Sequence, residues 1–452
     1  MEKTKKNGLM IFAVLLISVT AMAASYGGSV VLPQKLTAID SYDYYSLCAA
    51  LSSMGMMIGL PLVGVLGSKF GTKVVTLTGM IGMFIFRFIL MGVTSLPLFA
   101  VLWALQGFTS GLFMSAPYAI MAELVSAEER AKYYGFLTAA AAVGSLAGPY
   151  LTGLTIQRIS LGAAFLTWAI FAIIPVIVLL VMYPNQKRQS NGTFDFAGLL
   201  YFVVFVICLV FWLSLGGKMF PFVSVAGILL PVAAIVSLIL LIRRETSVEN
   251  PAVPVRMFSK GRFRTTFIVQ ALIVAYSTCV GSYGIPLVLY FMNRDATVSS
   301  TVTMPQTIVQ LVVSLFIGAY IGKAFKKRFR PFALLAIVAY IVGLVIFIAL
   351  KPDSSMLLVY LATGIGGIGQ AITQATYSAF FQTELKREEI MAAQGMYQFS
   401  STGGSCVFIA ICGACVNNLG FSLQQCFVLG TAFLAVALLF GIIGFRFPKE
   451  DA

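Results

Sequence analysis

The chain has 452 residues, of which 59% are hydrophobic and only 10% are charged. Soluble domains carry about 25% charged residues, so this composition excludes a soluble globular fold and makes lipid the solvent for most of the chain. The formal net charge of +14 does not indicate nucleic-acid binding, because the basic residues lie in short clusters between apolar stretches, a pattern typical of membrane proteins. We therefore expect a lipid bilayer, and no nucleic acid, among its partners.

The chain contains no histidine and seven cysteines. Without histidine, Ser/His/Asp catalysis and His-ligated metals are excluded, and we expect no enzyme, no metal site and no cofactor. Cys412 and Cys415 have CxxC spacing, but they fall inside an apolar stretch without a second pair, so we interpret them as small residues that pack helices. The glycine run 364–369 lacks the Lys-Ser/Thr of a nucleotide-binding loop, and we interpret it in the same way.

Apolar stretches of about 20 residues, the length that crosses a bilayer as a helix, recur along the whole chain. The first begins after three lysines and continues to about Val31, which is too long for a cleaved signal sequence, so we expect it to be retained. The sequence predicts an all-α membrane protein with fourteen transmembrane helices, at residues 9–32, 45–66, 74–93, 97–121, 133–156, 162–183, 195–215, 221–242, 265–291, 299–321, 332–350, 355–381, 391–416 and 423–446.

The distribution of lysine and arginine predicts the orientation of these helices. If the N-terminus lies in the cytoplasm, the loops on that side hold most basic residues, as in 323–330, whereas the opposite loops hold few, among them Lys35, Arg158 and Lys351. Loops rich in lysine and arginine stay in the cytoplasm, and an even number of spans brings the chain back to its starting side. We expect both termini in the cytoplasm and the protein in a bacterial-type cytoplasmic membrane.

Two kinds of loop recur in the same order in both halves of the chain. The basic loop Gly67–Lys73 follows span 2, and Gly322–Arg328 follows span 10. A loop of acidic and basic residues follows span 4, at Ser126–Lys132, and again follows span 12, at Glu384–Glu389. Repeated halves around a central site are a common transporter architecture.

The repeat predicts the division of the chain into domains. We expect two pseudo-symmetric six-helix bundles, an N-terminal bundle at residues 1–184 and a C-terminal bundle at residues 246–452. An inserted helix pair at residues 185–245 separates them, because spans 7 and 8 have no counterpart in the repeat.

Glycine and lysine recur in Gly64–Lys73, between spans 2 and 3, and glycine and proline occur together in Gly144–Gly153, inside span 5. Together with Leu105–Gly107, Phe194-Asp195 and Glu249–Phe258, these segments resemble the major facilitator superfamily, specifically its 14-helix branch of drug:proton antiporters. The resemblance implies a secondary active transporter that moves small amphiphilic molecules by alternating access, most simply the export of drugs, other xenobiotics or metabolites. We expect a monomer. The residues that would serve the conformational change are Gly64, Lys69, Gly71, Lys73, Gly144, Gly148, Pro149 and Gly153.

The chain departs from the pattern of that branch at three charged positions. Ser68 stands where the loop signature has an aspartate, Trp103 where helix 4 has an arginine, and Ala24 where helix 1 has an aspartate. All 16 acidic residues fall in loops or near the ends of the predicted helices. Buried carboxylates are the usual proton carriers of such transporters, so proton coupling would use Asp40 or Asp43, or Glu123, or would be absent.

Arg87 is the only charged residue well inside a predicted span. It would pair with an anionic substrate if it pointed into the bundle, or it would snorkel to the helix end, which is about 10 Å away at 1.5 Å per residue. The other candidates are polar or aromatic residues of spans expected to line a central path, and Gln370, Gln374 and Tyr377 share one helix face. The full set of candidate substrate-binding residues is Tyr26, Arg87, Trp103, Gln106, Tyr118, Gln270, Tyr276, Tyr283, Gln370, Gln374, Tyr377, Tyr397 and Gln398.

Two other functions stay open at this point. An interior without negative charge suits neutral or anionic molecules better than lipophilic cations, which favours uptake of an organic anion, such as a bile-acid-like amphiphile, by symport or uniport. A membrane sensor without transport activity is the alternative from another class. A membrane enzyme would need clusters of catalytic residues, and these are missing.

Overall fold

The computed structural model describes residues 2–184, 195–217, 220–248, 253–294, 298–299, 301–386, 389–419 and 421–447. Its helices, in chain order, are α1 (Glu2–Ala38), α2 (Tyr45–Phe70), α3 (Thr72–Gly92), α4 (Leu96–Met114, continued as Ala116–Leu124), α5 (Arg130–Arg158), α6 (Leu161–Met182), α7 (Phe196–Leu215), α8 (Val225–Ser247), α9 (Gly261–Thr278), α10 (Met304–Gly322), α11 (Phe325–Ala349), α12 (Met356–Gln382), α13 (Ile390–Leu419) and α14 (Leu423–Gly444).

Every predicted span coincides with one of these helices. Within the described residues, 13 helices are long and apolar enough to cross a membrane, and the 30-residue α13 occupies the remaining predicted span. The prediction of an all-α, multi-pass membrane protein is therefore confirmed. Phe194 and residues 249–252, which belong to the two predicted connectors, lie outside the described residues.

Short polar side chains start several of the helices. Ser160 accepts a hydrogen bond from the backbone N–H of Ala163 at the start of α6, and Asp195 accepts one from Gly198 at the start of α7. These bonds satisfy N–H groups that have no partner inside the helix. The N–H groups of the first turn need such partners, because the hydrocarbon core of the bilayer offers no hydrogen bonds.

Prolines account for the irregular helices. α4 breaks at Ser115, just before Pro117, which has no N–H to donate to the preceding turn. After α9 the chain continues in two π-helical turns, Cys279–Gly284 and Leu287–Phe291, which flank Pro286. α1 differs from its prediction, since it passes through Pro33 and ends at Ala38 instead of residue 32.

The helices form two compact units. Unit 1 consists of Met1–Leu124, Val143–Phe258 and Leu385–Phe399, and unit 2 consists of Val125–Ala142, Ser259–Glu384 and Ser400–Ala452. α5 and α13 each contribute their N-terminal half to one unit and their C-terminal half to the other. The boundaries expected from the repeat, near residues 184 and 245, stay a prediction.

The two units pack their helices in the same pattern. In unit 1, α4 packs on α2 and α3, and α6 packs on α1 and α3; in unit 2, α12 packs on α10 and α11, and α14 packs on α9 and α11. Each packed pair in unit 2 thus corresponds to a pair in unit 1 whose helix numbers are lower by eight. The inserted α7 and α8 pack on each other, and α7 also packs on α2. This correspondence is what the repeated loops predict for pseudo-symmetric bundles.

Closely packed glycines join the halves of α5 and α13 to their neighbours. In unit 2, a methyl group at Gly135 of α5 would clash with the carbonyl oxygen of Ser314 in α10. In unit 1, a methyl group at Gly395 of α13 would clash with the carbonyl oxygen of Leu60 in α2. Backbones this close to each other require small residues, a common feature of helix packing in membranes.

The carboxylates lie at helix ends and in loops. Asp195 begins α7, Glu245 lies in the last turn of α8, and Glu123 lies in the last turn of α4. None of the acidic residues that the structure describes lies in the middle of a helix. The Asp43 side chain is outside the described part.

Candidate functional site

Unit 1 encloses a cavity of about 240 Å³ between α1, α2, α3 and α4. Three of the candidate residues line it: Arg87 from α3, and Trp103 and Gln106 from α4. The rest of the wall is neutral, with hydroxyl groups from α1, α2 and α4 among apolar side chains. The cavity is therefore a polar compartment inside a bundle whose outer surface is apolar.

Arg87 points into the bundle. Its side chain is only 4% exposed, and its Nη2 donates a hydrogen bond of 2.7 Å to the carbonyl oxygen of Ala24 on α1. The sequence left the inward and the snorkelling orientation open, and the structure has the inward one. Within the described residues, Arg87 Nε has no hydrogen-bond partner.

Trp103 lies beside this arginine. Its ring stacks on Phe99, with centroids 5.5 Å apart, and meets the edge of Phe165 at 6.4 Å. The residue is 5% exposed, yet its indole Nε1 has no hydrogen-bond partner among the described residues. A buried indole N–H usually finds an acceptor, whereas this one is enclosed by the protein, so Trp103 faces the cavity with its ring and not with its N–H.

Gln106 is held by its own helix. Its Nε2 donates to Ser110 Oγ at 2.8 Å, and Ser110 Oγ donates to the Gln106 carbonyl oxygen at 2.9 Å. The amide oxygen of Gln106 is an additional acceptor. Gln106 and Ser110 together give the cavity a neutral polar wall opposite α1.

Two of the positions at which the chain departs from the antiporter pattern, Ala24 and Trp103, lie next to Arg87. Ala24 stands where helix 1 would have an aspartate, and its carbonyl oxygen receives the Arg87 guanidinium. Trp103 stands where helix 4 would have an arginine, and α3 supplies a guanidinium to the same place. The positive charge is thus kept in the bundle, whereas the described residues that line the cavity include no carboxylate in place of the negative one.

Unit 2 encloses a smaller cavity of about 60 Å³. Gln270 of α9 and Gln370 and Gln374 of α12 line it, together with Tyr340 and Ser401. Gln270 Nε2 donates to Ser401 Oγ at 3.2 Å. Like the larger cavity, it has polar walls without a carboxylate among the lining residues that the structure describes.

Two amide pairs connect α10 and α12 beside this cavity. Gln306 donates from Nε2 to Gln370 Oε1, and Gln310 donates from Nε2 to Gln374 Oε1 at 3.4 Å. We call these pairs the glutamine ladder. Both pairs join residues 64 positions apart, because each helix presents two glutamines one turn apart on the facing side.

The remaining candidates lie outside the two cavities. Tyr377 is fully buried, donates to the Ala333 carbonyl oxygen at 3.4 Å and lies against Phe329 and Phe445. Tyr276 packs on Tyr340 at 4.7 Å. The other candidates without a place in the cavity walls are Tyr26, Tyr118, Tyr283, Tyr397 and Gln398.

The sequence missed two residues that line the cavity of unit 2 and two glutamines that bond to its wall. Gln306, Gln310, Tyr340 and Ser401 were not among the candidates. The repeated four-residue spacing of Gln306–Gln310 and Gln370–Gln374 was a usable signal, because polar pairs one turn apart on two apolar helices can bond across the interface. No comparable signal pointed to Tyr340 or Ser401.

The residues expected to serve the conformational change lie at tight contacts and helix ends. Gly71 joins α2 to α3 with φ of 94°, which a side chain would strain, and Lys73 donates to the Leu180 carbonyl oxygen at 2.7 Å. Gly148 of α5 lies against α1, where a methyl group would come within 2.7 Å of the Ala23 carbonyl oxygen, whereas Gly153 has open space around it. The remaining members of this set are Gly64 and Lys69 of α2 and Gly144 and Pro149 of α5.

Residues 12–409 match the family model described as Major Facilitator Superfamily. The chain is 24% identical over 398 residues to Multidrug resistance protein 3 of Bacillus subtilis (strain 168), which covers 84% of this chain and 74% of that protein. It is also 24% identical over 366 residues to Multidrug transporter protein MdtP of the same organism, with 79% and 66% covered. Multidrug efflux pump SdrM of Staphylococcus aureus (strain N315) is 23% identical over 296 residues, with 64% and 63% covered.

Two solved structures are similar in fold. The human organic anion transporter MFSD10 (TETRAN) aligns with a TM-score of 0.69 at 14% identity, over 96% of this chain and 99% of that chain. The E. coli fucose:proton symporter FucP aligns with a TM-score of 0.65 at 14% identity, over 97% and 98% of the two chains. At these identities the similarity describes the fold alone.

Proposed function

Because the chain belongs to the Major Facilitator Superfamily, a family of transporters and not of enzymes, we propose that it exports small amphiphilic molecules by alternating access. The observation that supports this most is the presence of polar cavities inside otherwise apolar bundles, one in each unit. Polar groups in a membrane interior are costly and mark the path of a substrate or ion. The multidrug transporters among its relatives favour export over uptake.

The cavity walls support a mode of recognition without metal or carboxylate. The guanidinium of Arg87 and the amides of Gln370 and Gln374 offer hydrogen bonds, and the ring of Trp103 offers apolar surface. Such walls suit molecules that combine a ring system with one polar group. Among the predicted candidates, these four and Gln106 and Gln270 are the ones that we propose as substrate contacts.

The setting of the transporter follows the same proposal. We place it in a bacterial-type cytoplasmic membrane as a monomer with both termini in the cytoplasm. The relatives from Bacillus subtilis and Staphylococcus aureus and the clustering of basic residues in alternate loops support this orientation. Proton coupling, if present, would act through carboxylates at helix ends, such as Glu123 or Asp40.

Flux measurements test transport and its direction. Three matched probes, naphthylethylamine, naphthylethanol and naphthylacetate (the anion of naphthaleneacetic acid), share a naphthalene ring with a two-carbon side chain that ends in an ammonium, a hydroxyl or a carboxylate group. We expect liposomes with the purified protein to release at least one probe faster than empty liposomes, and cells that produce the protein to retain less of it. Greater retention in cells would indicate uptake of the probe and overturn export.

The same measurements separate a transporter from a sensor. A sensor would bind a probe without moving it, so liposomes with and without protein would release all three probes equally. We also expect an imposed pH gradient to change the rate if transport is coupled to protons. Loss of flux in a Gln370→Leu/Gln374→Leu variant would support the path through unit 2.

A further inference from the structure

We propose that the cavity of unit 1 binds an anionic group of the substrate, a carboxylate or sulfonate, on the Arg87 guanidinium, beside the ring of Trp103. This inference rests on the proposed transport function and names its substrate class. It assigns the polar end of the substrate to the region between α1, α3 and α4.

The first argument is the unbalanced charge of Arg87. A guanidinium has five N–H donors and no acceptor, and at 4% exposure it has little water to bond. In the described residues its hydrogen-bond partner is the Ala24 carbonyl oxygen, which carries no formal charge. A buried cation is expensive unless an anion is paired with it, and the protein leaves that partner to be supplied.

The second argument is the composition of the cavity wall. The described lining residues include hydroxyl groups of Ser25, Ser29, Ser52 and Ser53 but no aspartate or glutamate. A cationic ligand would meet the guanidinium without any compensating charge and would be repelled. A neutral ligand would leave the charge unpaired, so an anion is the ligand that completes this site.

The third argument is the aromatic wall beside the guanidinium. A methyl group on Gly28 of α1 would be 3.7 Å from both Arg87 Nη2 and Trp103 Cη2, so the outer edge of the indole lies near the guanidinium. Arg87 Nε and Trp103 Nε1 are themselves enclosed, so an anion would bind the part of the guanidinium that lines the cavity. The indole edge then offers apolar surface to the scaffold that carries the anion.

The size of the cavity indicates which part of the substrate it holds. About 240 Å³ is below the range of about 300–1,000 Å³ that is typical of pockets for drug-sized ligands. The cavity therefore fits an anionic group with the adjoining part of its scaffold. The rings of Phe99 and Phe165 pack on Trp103 and hold its ring in the cavity wall.

Binding by the detergent-purified full-length protein tests the assignment. Isothermal titration with the three naphthyl probes compares a carboxylate, an alcohol and an amine on one ring system. We expect naphthylacetate to bind at least tenfold more tightly than naphthylethylamine and naphthylethanol. Equal binding of all three, tighter binding of the amine, or no binding of naphthylacetate at millimolar concentration would overturn the proposal.

Three variants locate the site. Arg87→Gln removes the charge, and we expect it to weaken naphthylacetate binding at least tenfold while naphthylethanol binding changes less than twofold. Trp103→Phe removes the outer part of the ring, which lies near the guanidinium, and we expect a three- to tenfold loss for naphthylacetate. Arg158→Gln, the control, removes an exposed arginine at the end of α5 and should change neither. Unchanged naphthylacetate binding in both Arg87→Gln and Trp103→Phe would also overturn the site.

The design separates this inference from the transport function beneath it. Flux of naphthylethanol or naphthylethylamine without binding of naphthylacetate would support the transport function and overturn the anion site. Binding of naphthylacetate that depends on Arg87, without flux of any probe, would support the anion site and overturn the transport function. If Arg87→Gln does not fold, Trp103→Phe decides the question of the site.

Discussion

Gly135 of α5 lies directly against the carbonyl oxygen of Ser314 in α10, within unit 2. The contact is reciprocal, because a methyl group at Gly318 of α10 would clash with the Ala131 carbonyl oxygen of α5. Unit 1 has the equivalent contact between α13 and α2, at Gly395 and Leu60. The internal repeat therefore extends from the loops to the places where helix backbones touch.

We expect Gly135→Ala to destabilise the protein. The added methyl group overlaps backbone atoms of α10, which cannot move aside as a flexible side chain could, and overpacking of this kind costs about 1–3 kcal/mol. The melting temperature of the purified protein measures the effect. The matched control is Gly153→Ala in the same helix, where no atom of a neighbouring helix lies within 4 Å of the added group; an equal loss in both variants would contradict the prediction.

We expect Gly71→Ala to destabilise the protein through backbone strain, and not through contacts with its surroundings. Gly71 joins α2 to α3 at φ of 94° and ψ of 146°, a conformation that strains any residue with a side chain by about 1–3 kcal/mol. We expect lower yield and a lower melting temperature than in the wild type. Gly92→Ala at the end of α3, with open space around it, serves as the comparison and should behave like the wild type.

The glutamine ladder offers a double-mutant cycle. Replacing Gln306 or Gln370 alone with leucine leaves the other amide without its partner in an apolar interface, and we expect each single variant to be less stable by about 1 kcal/mol. The double variant Gln306→Leu/Gln370→Leu should recover part of that loss, because no amide is left unpaired. Strictly additive melting-temperature changes would show that the two side chains do not interact.

The α7–α8 pair depends on Asp195. This carboxylate begins α7 and lies 3.2 Å from Arg244 Nε of α8, with only 1% of its own side chain exposed. We expect Asp195→Ala to cost about 1–2 kcal/mol through the lost cap and ion pair, with probe binding unchanged. Ser224→Ala removes a cap at the start of α8 without an ion pair and should lower the melting temperature less. A change in probe affinity in Asp195→Ala would argue against a purely structural role.

The helices were predictable, since composition and span length determine them almost alone in a bilayer. The irregular places were less so: Pro117 and Pro286 mark them, but a proline can end, kink or widen a helix. Tyr377 shares a helix face with Gln370 and Gln374, as predicted, yet it is enclosed by Phe329 and Phe445. A face is a property of one helix, whereas a cavity depends on which neighbours leave space.

Arg87 shows most directly why the orientation of a side chain could not be predicted from the sequence. A long basic side chain near a helix end reaches either solvent or the bundle interior, and sequence spacing does not distinguish the two. Its direction follows from an acceptor on another helix, the Ala24 carbonyl oxygen, and from the adjoining Trp103. Neither neighbour was predictable from α3 itself.

The Arg87 guanidinium in the cavity of unit 1 has an electrical consequence. Arginine stays protonated at every physiological pH, so the empty site has one positive charge and the site with a monovalent anion has none. Moving one elementary charge across 100 mV involves about 2.3 kcal/mol, and the energy scales with the fraction of the field that the charge crosses. The membrane voltage would thus affect the rate at which the empty transporter changes conformation. It would have little effect on the conformational change with the anion bound.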